Sequence, residues 1–137
     1  MMWQEIRLTD CIGEGFYGLH RDIRKGEHSH YWLKGGRGSG KSSFISIEIL
    51  LGIIEDENAN AVIIRKVAAN LKDSVFEQMN WAIRTLGVED EWEKKMSPLE
   101  LMRKGTGQRI LFRGCDDPRK LKSVKFQKGY AKFIWYE

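Results

Sequence analysis

Between residues 35 and 42 the chain reads Gly35-Gly36-Arg37-Gly38-Ser39-Gly40-Lys41-Ser42, which satisfies G-x-x-x-x-G-K-[ST] at every defined position. That spacing suits one chemistry, the binding of a phosphate chain. The glycines permit tight turns and let backbone N–H groups face an anion. Lys41 supplies a compact cation for β- and γ-phosphates. Ser42 offers a hydroxyl to Mg²⁺. A helix opening at this point adds its free N–H groups and its positive dipole end. The pattern predicts a site for ATP with Mg²⁺, lined by Gly35, Gly36, Arg37, Gly38, Ser39, Gly40, Lys41 and Ser42.

A second group completes the metal side of such a site. Nucleotide-hydrolysing phosphate loops need an acid at the end of an apolar strand. Phe133-Ile134-Trp135-Tyr136-Glu137 has that form, and ligands of open α/β sheets gather at the carboxyl ends of the strands. Glu137 is therefore a candidate Mg²⁺-side acid together with Ser42, although the usual residue is Asp. The plain alternative is a terminal surface glutamate. No residue after Glu137 is present to activate water. The chain is thus expected to be part of a longer protein and to bind nucleotide better than it hydrolyses it.

These groups need elements to hold them. Ser29-His30-Tyr31-Trp32-Leu33 is short, aromatic and followed by glycines, which predicts a strand leading into the loop. Residues 44–54 carry eight large apolar side chains and predict a buried helix after it. Ala61-Val62-Ile63-Ile64-Arg65 predicts a strand covered on both faces. Leu71, Val75, Phe76, Met79, Ala82, Ile83 and Leu86 have helical spacing, with Asn70 as cap and Gly87 as stop. Residues 89–101 read as a second helical piece or a lid-like excursion, with Pro98 near a start. Residues 109–112 and 130–136 read as strands, and Asp116-Asp117-Pro118 as a turn. Residues 1–28 read as irregular structure or a short helix. Strands alternating with helices imply an α/β fold with a mainly parallel sheet.

Composition sets bounds. At 137 residues, 42% of them hydrophobic, the chain is one domain or part of one. The net charge of +4 permits a polyanionic partner without demanding one. From Arg103 to Lys132 ten Lys/Arg stand against two acids, Asp116 and Asp117. That stretch is either a solvated surface or a face for nucleic acid or nucleotide. Cys11 and Cys115 are too few for a disulfide framework, which fits a reducing compartment. The apolar run at 44–54 is too short for a membrane span.

Gly13-Glu14-Gly15-Phe16-Tyr17-Gly18 also matches a glycine-rich nucleotide pattern. A kinase would need a lysine strand and an H-R-D loop, and a dinucleotide site a strand before Gly13. Neither is present, so the segment reads as a glycine turn, with Phe16 or Tyr17 either packed in the core or lying against a nucleobase.

Several blocks together resemble one family. Gly35 to Ser43 is similar to the phosphate loop of phage terminase large subunits, in which an internal Arg is common. Ile64-Arg65-Lys66 with Leu71-Lys72-Asp73-Ser74-Val75 resembles the second strand and helix of the PBSX-type branch. Ile110-Leu111-Phe112-Arg113-Gly114, Asp116-Asp117-Pro118 and Lys120-Leu121-Lys122-Ser123 resemble its third block. Phe133 to Glu137 resembles its Walker B strand, which typically ends in two acids. The resemblance covers residues 29–137 and leaves 1–28 as a lead-in segment.

The resemblance implies a three-layer P-loop NTPase fold with Walker A at 35–42 and a Walker B strand at 131–137, truncated after that strand, with the family's C-terminal nuclease domain absent. It implies an ATP-driven motor that packages double-stranded DNA into a procapsid. Lys41 would bind the β/γ-phosphates, Ser42 the Mg²⁺, Arg37 the γ-phosphate, Ser43 would join the loop contacts, and Glu137 would be the Walker B acid. The catalytic Glu expected next to Glu137 is missing. Family partners would be the small terminase subunit, the portal protein and further copies of the chain, in the host cytoplasm and away from membranes. Two other readings remain, a helicase- or recombinase-like ATPase and a non-catalytic nucleotide-binding module.

Overall fold

A helix that is apolar on nearly every side must be covered on nearly every side, and α2 (Lys41–Glu55) is the element around which the chain is built. Phe44, Ile47, Ile49, Leu50 and Ile53 are all buried on it, and so are Ser46 and Glu48. The computed structural model describes residues 7–26, 28–31, 33, 40–66, 69, 71–116 and 124–137. Elements in chain order are α1 (Tyr17–Lys25), α2, β1 (Ala59–Arg65), α3 (Glu77–Thr85), β2 (Trp92–Met96), β3 (Leu99–Arg103), β4 (Arg109–Gly114) and β5 (Tyr130–Tyr136). A π-helical turn, Lys72–Phe76, leads into α3.

The five strands form one sheet in the order β2-β3-β4-β1-β5. β1 sits centrally among the parallel strands, paired with β4 from Ala61↔Ile110 to Arg65↔Gly114 and with β5 from Ala59↔Tyr130 to Ile64↔Tyr136. Its residues 59–64 are all buried, as the unbroken apolar run requires. β2 and β3 extend the sheet antiparallel beyond β4. The sheet is therefore mixed rather than mainly parallel: three strands run together and a hairpin is added at one side.

That hairpin replaces the helical piece expected at 89–101. Of its first strand only Trp92 is buried, while Glu93, Lys94, Lys95 and Met96 are exposed. An outer strand with solvent around it needs no apolar alternation, so the charged run hid it. Pro98 lies in the hairpin turn, not at a helix start. A second correction concerns Ser29 to Leu33. The described residues there, Ser29, His30, Tyr31 and Leu33, form no strand. Local partners hold them: Ser29 Oγ bonds His30, His28 bonds Asp22, and the His28 and Tyr31 rings meet edge to face at 5.9 Å. The α3 stop is as expected. Gly87 takes φ +69°, and its N–H bonds Arg84 O while Val88 N–H bonds Ile83 O. Asn70 lies outside the described residues.

Two buried amides lock the end of the sheet where the parallel strands begin. Gln108 Nε2 lies 2.7–2.8 Å from the carbonyls of Ile53, Asp56 and Ala59, which joins the last turn of α2, the following turn and β1 to the start of β4. Asn60 does the same across the neighbouring pair: its Nδ2 bonds Lys128 O and Tyr130 O, and its Oδ1 accepts from Arg109 N–H. Gly52 and Gly129 allow the close approaches this needs, against the Phe133 ring and the Asn58 carbonyl. A tight turn then sends β1 back along α2, so helix and strand run antiparallel.

The lead-in segment packs on this frame. It holds α1, docked on α2 by His20 with Glu48 and by Arg24 with Glu55. Burial pushes the Glu48 carboxyl above its usual range, partly opposed by the His20 bond.

Gln108→Ala strands buried carbonyls, each costing about 1–3 kcal/mol when left unpaired. It should lower unfolding free energy by at least about 2 kcal/mol in urea denaturation. The Tyr130 hydroxyl bonds the Asp56 carboxylate, which lowers the Asp56 pKa and raises that of Tyr130. A depressed carboxyl stabilises above its unfolded value and loses that contribution as pH falls through the folded one. A raised phenol stabilises below its unfolded value and loses it as pH rises. The stability gap between wild type and Tyr130→Phe should therefore be widest between about pH 4 and 10 and close on both sides. A gap independent of pH would contradict the pairing.

Candidate functional site

The carboxyl ends of β1, β4 and β5 share one edge of the sheet because the three strands are parallel. The N-terminus of α2 lies toward that edge, because α2 runs antiparallel to β1 and its far end is tied by Gln108 to the opposite edge. Gly40 makes the entry to the helix. It adopts φ +81°, a left-handed conformation that favours glycine, and its carbonyl accepts the first helical bond, from Phe44 N–H, at 2.9 Å. The N–H groups of Lys41, Ser42 and Ser43 have no intrahelical acceptor. Among the described residues none bonds the Lys41 ammonium or the Ser42 hydroxyl. Glu137 follows β5 and is anchored by its N–H to Ile64 O at 2.9 Å, at the end of β1. Its side chain is exposed.

Of the residues singled out from the sequence, Gly40, Lys41, Ser42, Ser43 and Glu137 thus fall at one edge. Gly35, Gly36, Arg37, Gly38 and Ser39 lie outside the described residues. The same edge carries cations that the motif did not name. Arg65 Nη1 reaches Ser74 Oγ on the π-helical turn. Arg113 bonds the carbonyls of Leu99 and Phe112 at 3.1 and 2.9 Å, and burial pushes its guanidinium pKa down. An arginine inside an otherwise apolar strand was the available signal for it.

The glycine turn at 13–18 is not a second nucleotide loop. It forms the 3₁₀ turn Glu14–Phe16 and the start of α1. Phe16 stacks on Phe44 with centroids 4.7 Å apart and planes 10° off parallel, and Tyr17 OH donates to Thr9 O. Both rings have protein partners.

The basic stretch divides in three. Arg103 pairs with Glu91, Arg109 with Glu100 and Lys132 with Asp56, and Arg113 is spent on carbonyls. Arg119, Lys120 and Lys122 lie outside the described residues. Lys104, Lys125 and Lys128 are exposed and have no acidic partner among the described residues. Much of the charge is therefore structural, and charge alone does not define a nucleic-acid face. No helix among the described residues is long and apolar enough to cross a membrane.

Comparison with known proteins adds what geometry leaves open. The profile of the phage terminase large subunit family matches residues 27–137. The chain is 37% identical over 134 residues to the terminase large subunit of Bacillus phage SPP1, covering 98% of this chain and 32% of that protein. It is 39% identical over 111 residues to the PBSX phage terminase large subunit of Bacillus subtilis strain 168, covering 81% of this chain and 24% of that one. The chain thus spans a third or less of the length of either relative. Matched by this family's profile over four fifths of its length and more than a third identical to both relatives, the chain belongs to the phage terminase large subunit family.

Proposed function

We propose that the chain is the ATP-binding part of a viral DNA-packaging motor, which couples ATP hydrolysis to movement of double-stranded DNA into a procapsid. The observation that carries this reading is the carboxyl edge, where Lys41 and Ser42 stand at the start of α2 with no side-chain partner among the described residues and Glu137 is anchored to β1. In this reading the mixed α/β sheet belongs to a P-loop NTPase, with Walker A at 35–42 and Walker B at 131–137. Backbone N–H groups from Gly35 to Ser43 cradle the phosphates. Lys41 neutralises the β/γ-phosphates, and Arg37 contacts the γ-phosphate. A hydroxyl and a carboxylate are hard oxygen donors of the kind Mg²⁺ accepts beside water and phosphate. Ser42 and Glu137 therefore fit as its holders, and the bound ion supplies charge neutralisation on the phosphates. Binding is the property assigned to this stretch, and hydrolysis to the whole motor. The small subunit, the portal protein, further copies of the chain and a host-cytoplasmic setting belong to the same proposal.

Lys41→Ala should weaken Mg²⁺-ATP binding at least about tenfold in calorimetric titration, the equivalent of about 1.4 kcal/mol for one charge-assisted contact. Unchanged affinity would refute the loop assignment. If Lys104, Lys125 and Lys128 face DNA, the log–log dependence of duplex affinity on salt should have a slope of about −2.7 for three phosphates neutralised. A flat response would return these lysines to plain solvated surface.

A further inference from the structure

α1 lies along α2 in matching register. Phe16, at the residue just before α1, meets Phe44; His20 meets Glu48; Arg24 meets Glu55. Steps of four residues keep the three contacts on one face of α1, and the contacts run from the first turn of α2 to its last. The two helices therefore run parallel, start beside start, with the 3₁₀ turn at Glu14–Phe16 delivering Phe16 to the start of α2.

The contact made at that start is unusual in what it touches. Phe44 is 1% exposed and belongs to the first turn of α2, so its ring is fixed by the core. Phe16 stacks flat on it. The edge of Phe16 also faces Gly40: a Cβ on Gly40 would sit 3.6 Å from Phe16 Cε2, which is ordinary van der Waals contact. Gly40 is the exposed left-handed residue through which the phosphate loop enters the helix. Glycine there gives the needed φ but no stiffness of its own. One ring thus stacks on the rigid first turn and lies beside the glycine entry, over the space a Gly40 side chain would take.

We propose that Phe16 is a positioning residue for the phosphate loop: it clamps the Gly40 hinge against Phe44, so that the N–H groups of Lys41 and Ser42 are held in place before nucleotide arrives. This rests on the nucleotide reading above. The clamp acts on the phosphate cradle and not on the base. Preorganisation of this kind lowers the ordering cost of binding. Residues 13–25 then serve as a splint for the loop and not as a passive leader.

The test measures Mg²⁺-ATP and tripolyphosphate binding to wild type, Phe16→Ala, Phe16→Leu and Phe16→Tyr, with thermal melts to confirm folding. Leu keeps apolar cover without the stack, and Tyr keeps the ring. The expected result is a parallel loss of about five- to tenfold for both ligands in the Ala and Leu variants, the scale of one aromatic pair, with Tyr near wild type. Wild-type affinity in the Leu variant would overturn the clamp and leave the nucleotide reading intact. Loss for ATP but not for tripolyphosphate would place the ring on the base and also overturn it. A wild-type protein that binds neither ligand would remove the nucleotide reading and the clamp together.

Discussion

The side-chain amide of Gln108 is the contact on which the rest of the structure depends. It sits in the interior and donates toward three carbonyls, on Ile53, Asp56 and Ala59. Those carbonyls belong to the end of α2, the turn and the start of β1. A buried amide of this kind is satisfied in one arrangement and costly in others, so it specifies as well as stabilises. Its consequence is directional. With the C-terminal end of α2 tied to the strand starts, the N-terminal end points to where the strands finish. Everything argued about phosphate binding follows from that orientation.

Asn60 adds the second constraint. It spans β4, β1 and β5 at the start of the parallel trio and sits at the register shift between Asn60 and Ala61. The opposite edge is less locked. There Ile134 and Tyr136 on β5 are 62% and 69% exposed, and Glu137 holds to β1 through one backbone bond. The molecule thus places its buried amide network away from the candidate site. A scaffold stiff at one edge with an accessible opposite edge suits a site that must admit a charged ligand.

Where burial dictated residue type, the sequence was legible. α2, β1 and α3 follow from their apolar patterns, and β5 runs from Tyr130 to Tyr136 as expected. Gly40 and Gly87 marked a helix start and a helix stop, and both take positive φ. Legibility failed where exposure removes the pattern. The β2–β3 hairpin is charged because its outer strand faces solvent, and the strand expected at 29–33 rested on aromatic content in a stretch held by local polar contacts. At the site, the motif named Lys41, Ser42 and Glu137, but not Arg113 or Phe16. Arg113 depends on partners distant in sequence, and Phe16 on a helix pairing that no single segment encodes.

The central claim is that nucleotide is bound at the carboxyl edge of the parallel strands, over the start of α2. Backbone amide chemical shifts recorded while Mg²⁺-ADP is titrated into the isotope-labelled chain test this most directly. The account predicts saturable shifts concentrated at Gly40, Lys41, Ser42 and Ser43 and at the ends of β1 and β5, with little change around Gln108 and Asn60. Saturable shifts centred on the Gln108 edge, or none at Gly40 to Ser43, would contradict it.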